Sequence, residues 1–271
     1  MNRHLTRQDA NSAKTDCFVD RPRIFVLARP SLADTINDFY TYFDVKLEQP
    51  VSGKYYPSEK IVENAGRVCY LSFSNPATKT TAAYVKKLIR HGHESVLEHV
   101  AWTLIFTGVS RAFTHQLVRH RAGFSYSQLS QQYVDHRSIR FVIPAEILAD
   151  PKLLPRWRKV VLSQRAQYVE LMNSLSQTPS EYSARESMRS VRSAARSVLP
   201  NCIEAIIAVT ANARAWRHFL SVRGSIEGDI EMRRVSAEVL KTLKQDAPNL
   251  FFDFELEMLG DSWPIVKRVC S

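Results

Sequence analysis

The stretch RHRAGFSYSQLSQQY, residues 119–133, opens with Arg119, His120 and Arg121 and continues with three serines and three glutamines, with no acidic residue among them. A solvated surface segment normally mixes charge signs. Two guanidiniums, an imidazole and a run of hydroxyl and amide donors therefore point to an anion as the natural partner. A second basic group lies downstream. Arg185, Arg189, Arg192 and Arg196 fall at spacings of four, three and four, one stripe if ARESMRSVRSAARSVLP is helical. Such a stripe is either a solvated face or, because like charges repel at those intervals, a surface that needs an anion or acidic partner. Arg196, beside VLP, is the member best placed to enter a site. The third group is NARAWRHFLSVR, residues 212–223. There Trp216 and Phe219 fit a core better than a stacking platform, and Arg214, Arg217 and His218 read either as surface decoration or as ligand contacts. Asn212 falls where a helix N-terminus would favour an anion.

Several other chemistries find no support. There is no GxGxxG turn and no GxxxxGK[ST], so any nucleotide must be held by side chains. HESVLEH, residues 93–99, lacks the histidine four residues after the first that a zinc-protease helix requires, because position 97 is Leu97. No metal is expected. Cys202, in LPNC, has no histidine beside it and reads as a small buried hydrophobe rather than a nucleophile.

The elements that must carry these groups can be read from periodicity. RIFVLAR (23–29) suggests a buried strand, and TAAYVKKLIRHGH a helix stopping near Gly92. AWTLIFTGV (101–109) is strand-like. Ser110 can cap a helix SRAFTHQLVRHR in which Phe113, Leu117 and His120 share a face, leaving Gln116 and Arg119 on a neighbouring one. IRFVIP reads as a strand closed by Pro144, and residues 152–198 as mostly helical with a Thr-Pro-Ser break at 178–180. IEAIIAVTA (203–211) is a strand followed by a helix that Asn212 can cap, and a last helix covers IEMRRVSAEVLKTLKQ. No period of about 20–50 residues repeats. The fold class expected is α/β, a single mixed domain with a central β-sheet and substantial helical additions.

Composition agrees with a folded protein. The 271 residues are 45% hydrophobic and 24% charged, and 37 Lys and Arg against 27 Asp and Glu give a formal charge of +10. That balance favours polyanions, anionic membranes or phosphorylated small ligands. Cys17, Cys69, Cys202 and Cys270 are scattered with no CxxC pair, which suits reduced thiols and a cytoplasmic protein. No apolar run approaches the roughly 20 residues of a membrane span. Residues 1–20 lack the apolar segment of a secretory signal and read as a flexible tail.

Taken in order, RVCYLSFSNP, GHESVLEH, GVSRAFTHQLVRHR, FSYSQLSQQYV, NARAWRHFLSVR and IEMRRVSAEVLKTL resemble the flavin-dependent thymidylate synthases over roughly residues 55–255. The resemblance implies a catalytic domain over 21–255, with tails at 1–20 and 256–271, and the fold of that family. It also implies a homotetramer with shared active sites and no nucleic-acid partner. FAD would be the cofactor, and deoxyuridine monophosphate (dUMP), methylenetetrahydrofolate and NADPH the substrates. Carried over by position, Gln116, Arg119, Gln128, Leu129, Ser130, Gln131, Gln132, Arg196 and Arg223 would meet the nucleotide. Ser95 of a neighbouring subunit, Arg119, His120, Arg121, Gln128, Asn212, Arg214 and His218 would contact the flavin. Arg223 would be the catalytic group, favouring ionisation of the uracil at N3 so that electron density reaches C5. A planar guanidinium, which keeps its proton below a pH of about 12, suits that task better than lysine.

Two departures stand out. The eight residues AGFSYSQL between Arg121 and Ser130 are one more than the family's signature spaces, to be absorbed near Ala122 and Gly123. Gln132 stands where the family's loop has arginine, which forfeits a charge-assisted hydrogen bond typically worth about 1.5–3 kcal/mol. Arg192 and Arg137 are candidates to compensate. The alternatives are flavin-dependent methylation of another pyrimidine nucleotide such as uridine monophosphate (UMP), and a basic nucleic-acid-binding module.

Overall fold

A computed structural model describes residues 17–45, 56–73 and 80–269. In chain order the elements begin with β1 (Phe18–Val19), β2 (Arg23–Ala28), α1 (Ile36–Tyr42), α2 (Pro57–Val68) and α3 (Thr81–Arg90). A 3₁₀ turn (Glu94–His99) leads to β3 (Ala101–Ser110), α4 (Arg111–Leu117), β4 (Phe124–Gln128), β5 (Phe141–Val142), α5 (Ala145–Leu148) and α6 (Leu153–Ser176). Then come α7 (Ala184–Ala195), a 3₁₀ turn (Arg196–Val198), β6 (Glu204–Asn212), α8 (Ala213–Arg223), α9 (Ile230–Asp246), β7 (Phe254–Met258) and β8 (Pro264–Arg268). The architecture is mixed α/β, as the alternation of patterns predicts. The largest sheet has the order β2-β3-β6-β4, so β3 and β6 are its inner strands.

Contacts divide the chain into two units, the first covering residues 1–23, 106–119 and 127–207, the second 24–105, 120–126 and 208–271. In the first, α6 and α7 pack as a helical hairpin over Tyr168, Met172 and Ala195. A second apolar cluster gathers Phe141, Val161 and Ile203, with Phe18, Trp157 and the partly buried Cys202 against it. Cys202 is thus a packing residue in its surroundings. β1 pairs in parallel with β5, Phe18 opposite Phe141, and the strand expected over IRFVIP shrinks to these two residues. Ile143 N–H instead donates to Val19 O at 2.8 Å.

In the second unit, Trp102, Leu104, Val209, Trp216, Phe219, Leu220, Val235, Val239 and Phe251 form the core. Thr103 and Thr210 share a hydrogen bond between their hydroxyls at 2.9 Å. β2 is present as expected, but it is an edge strand and not a buried one, with Phe25 and Leu27 43% and 62% exposed. An edge position leaves one flank without a neighbour, which its apolar composition does not reveal.

Side-chain capping sets several of the helix starts. Thr80, Ser110, Asn212 and Asp229 each accept a hydrogen bond from the backbone N–H three residues on. α3 stops at Arg90 before Gly92, which takes φ +72°. α4 is shorter than its sequence pattern suggests. It ends at Leu117, so His120 does not share a helical face with Phe113 and Leu117. Residues 18–19 and 264–268, read as parts of the two tails, form β1 and β8; residues 1–16 and 270–271, Cys270 included, lie outside the described residues.

Candidate functional site

In the first unit, α4 places Gln116 on its exposed side, and the Arg119 N–H closes a turn onto Gln116 O at 3.3 Å. β4 delivers Gln128, whose side-chain amide donates to Thr114 Oγ1 at 3.2 Å. Beyond the strand, Leu129 N–H donates to Ile206 O at 2.8 Å, and Ser130 Oγ accepts from Gln132 N–H at 3.2 Å. Gln131 turns inward and is buried. The loop 128–132 is therefore fixed by these hydrogen bonds, with Ser130 and Gln132 half-buried.

The arginine stripe of α7 is no uniform solvated face. Arg185 and Arg189 lie over the Tyr133 ring, 5.8 and 5.6 Å from its centroid. Arg189 Nε donates to Gln132 Oε1 at 3.3 Å. The cation that reaches Gln132 is thus Arg189, neither of the two expected from the sequence. Arg137 is turned to Asn173 Oδ1 at 3.0 Å and to Asp135 at 3.6 Å, and Arg192 buries an Nε that has no hydrogen-bond partner. Arg196 starts the 3₁₀ turn after α7. Burial, and then the Arg196 charge, lower the pKa of the half-buried Arg111. His136 is likewise lowered, mainly by burial; Val134 O and Asp135 oppose this, and Arg111 and Arg192 add to it. The nearby buried carboxylate, Glu204, is committed to Arg140 at 2.6 Å and to the Gly108 N–H at 2.7 Å. Positive charge therefore acts on Arg111 from Arg196 and on His136 from Arg111 and Arg192, a balance that an anion would relieve. Arg111 was not picked out from the sequence, because nothing in its spacing ties it to a helix some 80 residues away.

In the second unit, α8 carries Arg214, Arg217, His218 and Arg223. The Arg223 Nε donates to His120 Nε2 at 3.0 Å. A guanidinium N–H can only donate, so Nε2 is the bare acceptor and the imidazole is neutral. Burial, reinforced by the charges of Arg223 and His218, lowers the His120 pKa in the same sense. Rings of Phe124, His218 and Phe219 surround His120 at 5.9, 6.0 and 5.4 Å between centroids. Tyr126 donates its hydroxyl to His120 O at 2.6 Å, and burial raises the pKa of that phenol.

Arg121 and His218 are exposed, as is Ser95 in the 3₁₀ turn 94–99, and Arg214 pairs with Glu98 at 2.6 Å on the surface. Asn212 spends its side-chain oxygen on capping α8, donated by Ala215 N–H at 2.8 Å. The extra residue at Ala122 and Gly123 is accommodated by Gly123 at φ +74°, where a Cβ would stand 2.9 Å from both Asn212 Nδ2 and Ala215 Cβ. Arg217 corrects the surface alternative entertained for it. It is 3% exposed, with both terminal nitrogens on Asp253 at 2.6 and 2.8 Å and one also on Leu250 O at 2.7 Å. Among the described residues no group of three or more His, Cys, Asp or Glu is placed to hold a metal ion, and no helix is long and apolar enough to cross a membrane.

The family model for "Thymidylate synthase complementing protein" matches residues 54–249. The chain is 46% identical over 204 residues to the flavin-dependent thymidylate synthase of Mycobacteroides abscessus, covering 74% of this chain and 81% of that one. The chain belongs to the flavin-dependent thymidylate synthase family. It is 47% identical, with the same coverage, to the Mycolicibacterium gilvum enzyme of that name. The Corynebacterium efficiens one is 44% identical over 207 residues, 75% of this chain and 82% of that one.

For a flavin-dependent thymidylate synthase, the donor set of the second unit fits a flavin dinucleotide. Arg121 and Arg214 are exposed cations, Arg214 sharing its charge with Glu98, and the rings of His120 and His218 lie 6.0 Å apart between centroids. Glycine at 123 lets the backbone pack directly against Asn212 and Ala215 at the start of α8.

Proposed function

We propose that this member of the family methylates dUMP at C5 to give dTMP, with FAD as cofactor, methylenetetrahydrofolate as one-carbon donor and NADPH as reductant. The observation that carries the reading is the Arg223–His120 hydrogen bond of 3.0 Å, which fixes a guanidinium edge beside a neutral imidazole at the end of α8. When bound, FAD supplies the hydride that completes the methyl group.

The chain's own residues do the rest. Ser130, Gln116, Arg119 and the loop Gln128–Gln132 hold the nucleotide, and Arg196 meets its phosphate from the end of the basic helix. Arg189, hydrogen-bonded to the Gln132 amide, brings to that loop the positive charge its sequence lacks. Arg223 stabilises the uracil as its N3 anion, the N3 proton passing to solvent. A carbon nucleophile at C5 then forms without attack by a thiol, and Cys202, packed beside Ile203, is not needed. His120 accepts only while neutral and so aims Arg223 without competing for the ring's proton. Arg119, His120, Arg121, Gln128, Asn212, Arg214 and His218, with Ser95 of a neighbouring subunit, hold the flavin. The same reading carries a homotetramer with shared active sites and a cytoplasmic setting.

The test is turnover. Purified protein is expected to be yellow and to methylate dUMP in preference to UMP when given methylenetetrahydrofolate and NADPH. A clear preference for UMP would move the reading to another pyrimidine nucleotide. A colourless protein whose binding to nucleic acid falls steeply with salt would replace it by a basic binding module.

A further inference from the structure

α8 is gripped twice by the chain that follows residue 249, where the family match ends. The first grip is at mid-helix, where Arg217 meets Leu250 O and Asp253. The second comes two turns later. Val266 N–H of β8 donates to Gly224 O at 2.9 Å, and Val266 is fully buried against Gly224, the residue that closes α8 directly after Arg223. A Cβ on Gly224 would stand 2.6 Å from Val266 Cβ and 2.7 Å from Leu220 O. Glycine here serves close approach and not an unusual backbone, since its φ is −69°.

The β7–β8 hairpin that delivers Val266 is itself anchored. Its base is closed by Val269 N–H on Asp253 O at 2.9 Å and by Arg268 Nε on the Asp253 carboxylate at 2.9 Å. Its turn is fastened by Arg233 of α9, whose side chain is fully buried. Arg233 donates to both oxygens of Asp261 at 2.7 and 2.9 Å, to Pro264 O at 3.3 Å, to Trp263 O and to Glu227 O at 2.8 Å. Glu227 belongs to the segment that leaves α8, so one guanidinium ties the exit of that helix to the turn of the hairpin. Such a planar five-donor fork, satisfied on every side, holds its neighbours in one arrangement.

We propose that the C-terminal hairpin is a positioning device for Arg223, with Val266 and Arg233 as positioning residues that hold its guanidinium on His120. The hairpin fixes the last turn of α8, and through that turn the one side chain whose angle decides whether the Arg223–His120 hydrogen bond forms. This inference builds on the assigned role of Arg223, but its first readout needs no substrate and so succeeds or fails separately from that role.

The experiment uses the full chain, with the His120 resonance assigned through His120→Gln, and compares Gly224→Ala with Asp261→Ala. The second variant loosens the hairpin turn by removing the half-exposed carboxylate from the fully buried Arg233, whose contacts to the carbonyls of Glu227, Trp263 and Pro264 remain. The groups facing His120 are Arg223 and His218, with the Phe124 and Phe219 rings and the Tyr126 hydroxyl on its carbonyl. As Arg223 withdraws, the NMR titration midpoint of His120 should rise in both Gly224→Ala and Asp261→Ala, burial continuing to hold it down. Turnover should fall by about tenfold or more, with KM for the nucleotide little changed. Should either variant fold with a lowered Tm yet keep the wild-type His120 midpoint and kcat, the hairpin would be scaffold only and the proposal would be wrong.

Discussion

Replacing Asp253 by alanine should destabilise the second unit far more than an ordinary surface change. Both Arg217 and Asp253 are 3% exposed, and they share two hydrogen bonds of 2.6 and 2.8 Å. Burial alone would raise the Asp253 pKa, but hydrogen bonds and charge from Arg217, then Arg268, bring it below the ordinary carboxylate value. Removing the carboxylate leaves the Arg217 charge inside, with Leu250 O and, at 3.8 Å, Glu94. Breaking a buried pair from one side costs about 3–5 kcal/mol. The Arg268 contact adds at most about 1 kcal/mol, because that side chain is 48% exposed. At roughly 2–4 °C per kcal/mol for a chain of this size, Tm should fall by about 6–24 °C. The double variant Arg217→Met with Asp253→Leu should recover most of the loss, since a matched apolar pair leaves no uncompensated charge. Differential scanning calorimetry checks both. A loss under about 1 kcal/mol, or a double variant no more stable than the single, would refute the reasoning.

Other expectations follow from the same geometry. Arg189→Gln should raise KM for dUMP by about tenfold at nearly constant kcat, the lower end of a lost charge-assisted contact because Arg189 is 42% exposed. Adding Gln132→Arg should restore it, and steady-state kinetics of the three proteins decide. His120 has a folded pKa below its ordinary 6.5, so the stability its neutral form contributes is complete above about pH 6.5 and is lost as pH falls toward the folded value. Tm measured against pH should therefore drop below about pH 6.5, and His120→Gln should flatten that part of the profile. His136, lowered in the same direction, accounts for any remainder.

Local chemistry made much of this legible from sequence. The apolar strands β3 and β6 and the caps Ser110 and Asn212 are set by neighbours within a few residues. The end of α4 was not legible, because Val118, Arg119 and His120 continue a helical pattern that the turn onto Gln116 O interrupts. β4 was missed too, although FSYSQ alternates, because its hydroxyls and amides read as loop. Arg217 looked like decoration since its partner Asp253 lies 36 residues on. β7 and β8 alternate weakly; Lys267, opposite Glu255 in the register, pairs diagonally with Glu257 at 2.7 Å, a contact that only the folded hairpin reveals. The site residues themselves came from recognisable motifs. The contact of Arg189 with Gln132 needed the fold.

The most direct test of the central claim is single-turnover methylation of dUMP by Arg223→Ala, with flavin absorbance and dUMP affinity measured on the same sample. A fixed guanidinium that stabilises the developing anion should be worth about a hundredfold or more in rate, so the variant should stay yellow, still bind dUMP and methylate it at least that much more slowly. Wild-type rates from Arg223→Ala would contradict the account.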